Sequence, residues 1–132
     1  MSQFGKQIHS RSRTKKGGNG KRRTKSRDKK RSEMGNYFTA TKLAEANKID
    51  MVRRRGGKET PALKHAGFVN LLTKQGYKKL AIKGVADSPD NRNFARQNII
   101  TKGTVINTEL GKAVVINRPG REGNINAKLV EA

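Results

Sequence analysis

From Met34 onward, short runs containing β-branched and aliphatic residues are separated by Gly, Pro, Asn and Asp, the pattern of strands divided by turns. The chain is therefore all-β in character. Strands are predicted at about 37–42, 48–54, 67–73, 77–85, 103–108, 112–117 and 124–130. The best-defined pair is Val105-Ile106 and Ala113-Val114-Val115-Ile116 around Glu109-Leu110-Gly111, because a Gly-containing turn between two β-branched runs makes a hairpin. Arg118-Pro119-Gly120-Arg121-Glu122-Gly123 is a second turn, with Pro presetting φ at one position and Gly supplying positive φ at the next. One segment departs from the strand pattern. Ser88 as N-cap, Pro89 at the first helical position and Asp90 in the first turn predict a single short helix over about 89–98, with Asn98 near its C-terminus. Arg92 and Arg96, four apart, share one face of that helix, and Phe94 is expected to be buried. There is no heptad and no internal repeat.

The first 35 residues are different. Their apolar residues are Met1, Phe4, Ile8 and Met34, too few to offset an ordering entropy of about 1 to 2 kcal/mol per residue. The same stretch holds 13 Lys and Arg against 2 Asp and Glu, whereas residues 36–132 hold 18 against 8. The two segments thus carry nearly equal net charge, but in the first it is packed almost three times more densely. Residues 1–35 are expected to form an arm that is disordered when free and that reaches on the order of 100 Å when extended. Residues 36–132 are expected to form the folded β domain.

Composition narrows the chemistry. The chain has 132 residues, 32% of them apolar, and no Trp, so one domain with a small core of Val, Ile, Leu and Ala is expected. The absence of Cys excludes a disulfide framework, a thiol nucleophile and Cys-ligated zinc. His9 and His65 are far apart in sequence with no carboxylate at ligand spacing, and none of Ser10, Ser12, Ser26, Ser32 or Ser88 sits in a nucleophile-elbow pattern. Asp87 and Asp90 are accounted for by capping of the helix. No catalytic constellation, cofactor or metal site is expected. The N-terminus lacks an apolar signal region, and no stretch approaches the roughly 20 apolar residues of a membrane span. A soluble protein without a membrane partner is expected.

The formal net charge of +21 points instead to a polyanion. In the arm, Lys6, Arg11, Arg13, Lys15, Lys16, Gly17, Gly18, Lys21, Arg22, Arg23, Lys25, Arg27, Lys29, Lys30 and Arg31 are interspersed with Ser, Thr and Asn. Lys supplies mobile point charge and Arg supplies bidentate forks and stacking planes, while the hydroxyls and amides add donors for phosphate oxygens. A solvated tail has the same look when isolated. Joined to a basic domain, a run this long indicates nucleic acid. In the domain, Arg53-Arg54-Arg55-Gly56-Gly57-Lys58 combines guanidinium groups with glycines that let backbone approach a phosphate. If Met51 and Val52 end a strand, alternation sends Arg53 and Arg55 to one face and Arg54 to the other. Arg92 and Arg96 on the helix, Lys102 before Gly103 at the mouth of a strand, and Arg118 complete the candidates. The Lys102 position suits an ordinary exposed turn as well as a phosphate contact. Tyr37, Phe38, Phe68, Tyr77 and Phe94 are too scattered for a paired base-stacking platform, and most are assigned to core packing. Phe4 is free to pack into RNA or a neighbouring protein, or to dangle.

Several stretches, in the same order, resemble the archaeal and eukaryotic small-subunit ribosomal protein family S8e, distinct from the bacterial protein that shares its number. They are His9-Ser10-Arg11-Ser12-Arg13-Thr14-Lys15-Lys16-Gly17-Gly18, Val52-Arg53-Arg54-Arg55-Gly56-Gly57, Asn91-Arg92, Asn98-Ile99-Ile100-Thr101-Lys102-Gly103, and Gly111-Lys112-Ala113-Val114-Val115 through Arg118-Pro119-Gly120. Lys58 and Arg121 stand where the family often has Asn and Gln, and both add positive charge. Residues 60–86 match weakly. The length is similar to the short archaeal form. The resemblance implies a small barrel-like antiparallel β domain with a long basic N-terminal extension, bound to 16S ribosomal RNA in the small (30S) subunit among other small-subunit proteins, in the cytoplasm and not as a homo-oligomer. Composition alone equally admits an architectural DNA-binding or chromatin-type protein, since phosphate contacts carry no sequence information.

Overall fold

A computed structural model describes residue 30 and residues 35–130. The chain divides into two units, Met1–Phe38 and Thr39–Ala132. The arm residues proposed from sequence, Lys30 and Gly35 apart, lie outside the described residues.

In chain order the elements are β1 (Thr41–Leu43), β2 (Lys48–Arg53), a 3-10 turn (Arg55–Gly57), β3 (Glu59–Ala66), β4 (Phe68–Thr73), β5 (Gly76–Asp87), α1 (Arg92–Arg96), β6 (Ile99–Ile100), β7 (Val105–Thr108), β8 (Gly111–Val115), α2 (Pro119–Glu122) and β9 (Asn126–Leu129). A four-stranded sheet has the order β2-β3-β1-β6, and the strands β4-β5-β7-β8-β9 close into a barrel. Within the barrel each strand pairs antiparallel with the next, so β4, β7 and β9 run one way and β5 and β8 the other. An odd number of alternating strands leaves one parallel pair at closure, and that pair is β4 with β9.

Alternation fills the barrel. Val69 and Leu71, Ile106 and Thr108, Ala113 and Val115, and Ile125 and Ala127 are buried while their neighbours along each strand are not. A five-stranded barrel is narrow, and large residues face small ones across its ladders: Leu71 beside Ala127, Ile106 beside Ala113. The expectation that most aromatics pack the core is corrected. Tyr37, Phe68 and Tyr77 are exposed, Phe38 and Phe94 are half-buried, and aliphatic side chains alone fill the core, because a barrel this narrow has no room for a ring. The core continues into the sheet through Leu63, Ala66 and Ile100, and the buried Thr41 hydroxyl is satisfied by the Leu63 carbonyl at 2.7 Å.

Nine strands form where seven are expected. The additional ones are β3 and β6. Pro61 argues against a central strand because it cannot donate to a ladder, yet it sits in β3 opposite Met51 of β2. Along its other side β3 pairs with β1 only at His65 and Ala66, so at Pro61 no ladder bond is lost. The helix is also shorter than expected. Its N-cap is Asn91, not Ser88: the Asn93 amide donates to Asn91 Oδ1 at 2.9 Å. Ser88 is buried instead, Asp87 Oδ1 accepts from the Ser88 amide, and Asp90 Oδ2 accepts from the Thr101 hydroxyl, so neither carboxylate caps the helix. The C-terminal expectation holds, since Asn98 adopts φ +52° just past the Gln97 C-cap. The second expected turn is the single helical turn α2, and the positive φ falls at Gly123 rather than Gly120.

Two tight hairpins repeat one chemistry. In Thr73-Lys74-Gln75-Gly76 and Thr108-Glu109-Leu110-Gly111 the threonine hydroxyl donates to the glycine carbonyl, at 2.7 and 2.8 Å, and the glycine has φ near +120° (118° and 123°). Because β4 and β7 run the same way, both tips lie at one end of the barrel. The β3–β4 junction, the α1 connection and the α2 connection lie at the other end.

Candidate nucleic-acid interface

The first basic element closes the β2–β3 hairpin. Arg53 pairs with Glu59, the Arg54 amide donates to the Lys58 carbonyl at 2.7 Å, and the Gly57 amide donates to the Arg54 carbonyl at 3.3 Å. Gly56 and Gly57 take φ of +81° and +80°, the left-handed region open to Gly at little cost. A β-carbon on either would meet nothing within 4 Å, so both face open space. Arg55, in the 3-10 turn, followed by left-handed Gly56 aligns successive backbone amides into a concavity of the kind that holds anions. Arg53, Arg55 and Lys58 are exposed, whereas Arg54 is half-buried and its Nε donates to the Thr60 hydroxyl at 2.9 Å. The alternation argument therefore separated the right residue: Arg54 holds the loop, and the other two arginines face outward.

The second element is α1 with the turn after β6. Thr101 anchors that turn. Its hydroxyl donates to Asp90 Oδ2 at 3.0 Å and its amide to the Thr104 hydroxyl at 3.0 Å, while Gly103, at φ +86°, donates to the Val115 carbonyl at 2.8 Å. Lys102 stands exposed on this fixed turn, and the Asp90–Thr101 bond ties it to the loop that starts α1. Arg92 and Arg96 are exposed on α1, and Phe94 is half-buried.

The third is α2. Pro119 is buried at its N-terminus, Asn117 Nδ2 donates to Glu122 Oε2 at 3.1 Å and to the Asn124 carbonyl at 3.0 Å, and the Arg118 amide donates to Glu122 Oε1 at 3.3 Å. The turn sits tightly: β-carbons on Gly120 and Gly123 would approach the Thr39 Cβ at 3.0 Å and the Pro61 Cβ at 2.9 Å. Pro61 lies two positions along β3 from Glu59, the partner of Arg53, so Arg118 and Arg121 belong with the Arg-Gly-Gly hairpin. Both are exposed.

The described cations are segregated. All seven described arginines, at 53, 54, 55, 92, 96, 118 and 121, lie off the barrel strands, which carry only Lys78, Lys79, Lys83, Lys112 and Lys128. Guanidinium forks are thus confined to the end of β2 with its hairpin loop, to α1 and to the α2 turn, and the barrel wall carries point charge.

The family model for ribosomal protein S8e matches residues 10–130. The chain belongs to the S8e family. Among its archaeal relatives, the small ribosomal subunit protein eS8 of Hyperthermus butylicus is 43% identical over 119 residues, covering 89% of this chain and 88% of the relative. That of Ignicoccus hospitalis is 44% identical over 114 residues, covering 85% and 88%, and that of Sulfurisphaera tokodaii is 42% identical over 114 residues, covering 85% and 89%. S8e proteins are structural and not enzymes.

Within this S8e chain, the expected domain residues fall into the two groups built above: Arg53, Arg54, Arg55, Gly56, Gly57 and Lys58 with Arg118, and Arg92 and Arg96 with Lys102. The arm residues Lys6 to Arg31, apart from exposed Lys30, lie outside the described residues. Arg121, an added charge in the sequence but not among the expected contacts, shares a helical turn with Arg118, and its signal is its place in the Arg-Pro-Gly-Arg run. Among the described residues no group of three His, Asp or Glu side chains is placed to hold a metal ion, and no helix is long and apolar enough to cross a membrane.

Proposed function

We propose that this S8e protein is a structural component of the small ribosomal subunit that binds and stabilises 16S ribosomal RNA, bound to the ribosome in the cytoplasm and entering it as a single copy beside other small-subunit proteins. Its relatives carry the small-subunit name. The observation that carries the binding mechanism is the confinement of all seven described arginines to three short, internally hydrogen-bonded segments. Arginine on a fixed backbone needs only its own side chain ordered, so it grips phosphate or stacks on a base at a defined place. Residues 1–35, with 13 cations against 2 anions, order on binding and run between RNA helices whose phosphates would otherwise repel. Arg53, Arg55 and Lys58 with Arg118, and Arg92 and Arg96 with Lys102, then set where the domain docks.

Co-sedimentation tests this function. The chain should travel with small subunits in a lysate and leave them only at high salt, and 16S RNA should compete for it better than duplex DNA at matched salt. Equal competition by DNA would turn the reading to a general architectural protein.

A further inference from the structure

Outward-facing residues of β4 and β5 follow from register. Val69 and Leu71 are buried, so Phe68, Asn70 and Leu72 face out, and so do their ladder partners Ala81, Lys79 and Tyr77. On the parallel neighbour β9, Lys128 lies beside Leu72, which gives one row of Lys128, Leu72 and Tyr77 across the barrel wall. Lys79 stands one row away, about 7 Å along the strand, and its ammonium sits 4.8 Å from the Phe68 ring centroid, within cation–π range. Tyr77 is 71% exposed and Leu72 41%. Large side chains have been left in water on a wall whose interior would have taken smaller ones.

On the three strands that carry this row the charge near it has one sign, and exposed Glu109 lies in the other hairpin tip at this end. β4 and β9 carry no carboxylate, and β5 carries none before Asp87 at its far end. Tyr77 lies next to the Thr73–Gly76 turn, so the row is near the hairpin end of the barrel, opposite the end at which α1 and α2 connect.

We propose that this row is a second RNA contact, distinct from the arginine-bearing turns, which takes an unpaired nucleobase. The Tyr77 ring stacks on the base, Leu72 covers the base's edge, and Lys128 and Lys79 meet the phosphates on either side, with Phe68 holding Lys79 in place. An aromatic ring flanked by cations, with no carboxylate beside it on the same strands, is an arrangement that binds single strands, because every base has a π-face and every nucleotide a phosphate. The proposal rests on the RNA-binding reading above and adds to it the kind of RNA element this face takes.

Tyr77 supplies its own probe. The chain has two tyrosines and no tryptophan, so full-length protein carrying Tyr37→Phe reports on Tyr77 fluorescence alone. Titration with a short oligoadenylate RNA should quench that emission, and a blunt RNA duplex should not. Read by the anisotropy of a dye-labelled oligoadenylate, Tyr77→Ala should weaken binding about tenfold while Tyr77→Phe retains it, and Arg118→Ala should leave the tyrosine quenching intact. Unchanged oligoadenylate affinity in Tyr77→Ala overturns the proposal, as does quenching by an acidic peptide but not by RNA, which would assign the face to a protein partner. Normal 16S RNA binding by an otherwise insensitive Tyr77→Ala chain would defeat this proposal alone, whereas failure of the unsubstituted chain to bind any RNA would defeat the proposed function itself.

Discussion

The Gly67 amide donates to Asn47 Oδ1 at 2.8 Å, at the point where the chain leaves the four-stranded sheet and enters the barrel. The same oxygen accepts from the Phe68 amide at 3.2 Å, and the Gly67 carbonyl accepts from the Ile82 amide at 2.9 Å. One amide side chain thus satisfies two backbone donors that neither sheet can pair. A β-carbon on Gly67 would stand 2.2 Å from the Glu45 carbonyl oxygen, which is backbone and cannot swing aside.

Gly67→Ala is therefore expected to destabilise the protein by about 3 kcal/mol, at the upper end of overpacking costs. Asn47→Ala should cost about 1 kcal/mol by stranding the part-buried Gly67 donor, while water takes over the exposed Phe68 amide. Urea unfolding of the full-length chain measures both. An alanine tolerated at 67 would show that the β3–β4 junction does not approach the Glu45 backbone as closely as described.

Arg54 and Arg55 are neighbours with different work. Arg54→Ala should lower stability by about 1 kcal/mol, because its Nε holds Thr60 at 2.9 Å. Arg55→Ala should leave stability unchanged and weaken RNA binding, since Arg55 is exposed beside two glycines in open space. Thermal melts read beside RNA affinity separate these effects, and the reverse pattern would contradict the loop geometry.

Asp50 gives a pH dependence. A hydrogen bond from Lys64 on the paired strand holds its carboxyl below the ordinary carboxylate range, against an opposing desolvation and with the charges of Lys64, Lys48 and His65 adding less. The folded pKa lies below the unfolded one, so this contribution is present above the unfolded value and is lost as pH falls through the folded one. Stability profiles of wild-type and Asp50→Asn should differ at neutral pH and converge in acid. Parallel profiles down to low pH would remove the Asp50–Lys64 pair as their cause.

Much of the fold could be read from the residues because its barrel strands are short, alternating and bounded by glycine, as at Gly111. What was missed had local signals pointing the wrong way. Pro61 hides β3, since nothing in the sequence says that β3 is unpartnered on that side. Ser88-Pro89 imitates a helix start, and only the burial of Ser88 and the fit of Asn91 onto Asn93 show where α1 begins. Large apolar residues usually pack inward, which is why the sequence points the aromatics to the core, and the narrowness of five strands is a tertiary fact. The basic elements were legible as residues, Arg53 to Lys58 most clearly. Their grouping was not, because it depends on α2 reaching Pro61 through Gly123.

Removal of residues 1–35 separates the arm from the domain. The truncated chain should retain the cooperative unfolding of Thr39–Ala132, whose described core residues run from Leu63 to Ala127, yet enter small subunits poorly. Normal incorporation would assign all binding to the domain.

The central claim, that this protein acts by placing cations along RNA phosphates, is tested most directly by the salt dependence of its affinity for 16S RNA. Each neutralised phosphate contributes roughly −0.7 to −0.9 to the slope of log K against log salt, so about ten contacts give a slope near −7 to −9 for the full-length chain. A slope near zero would contradict the account.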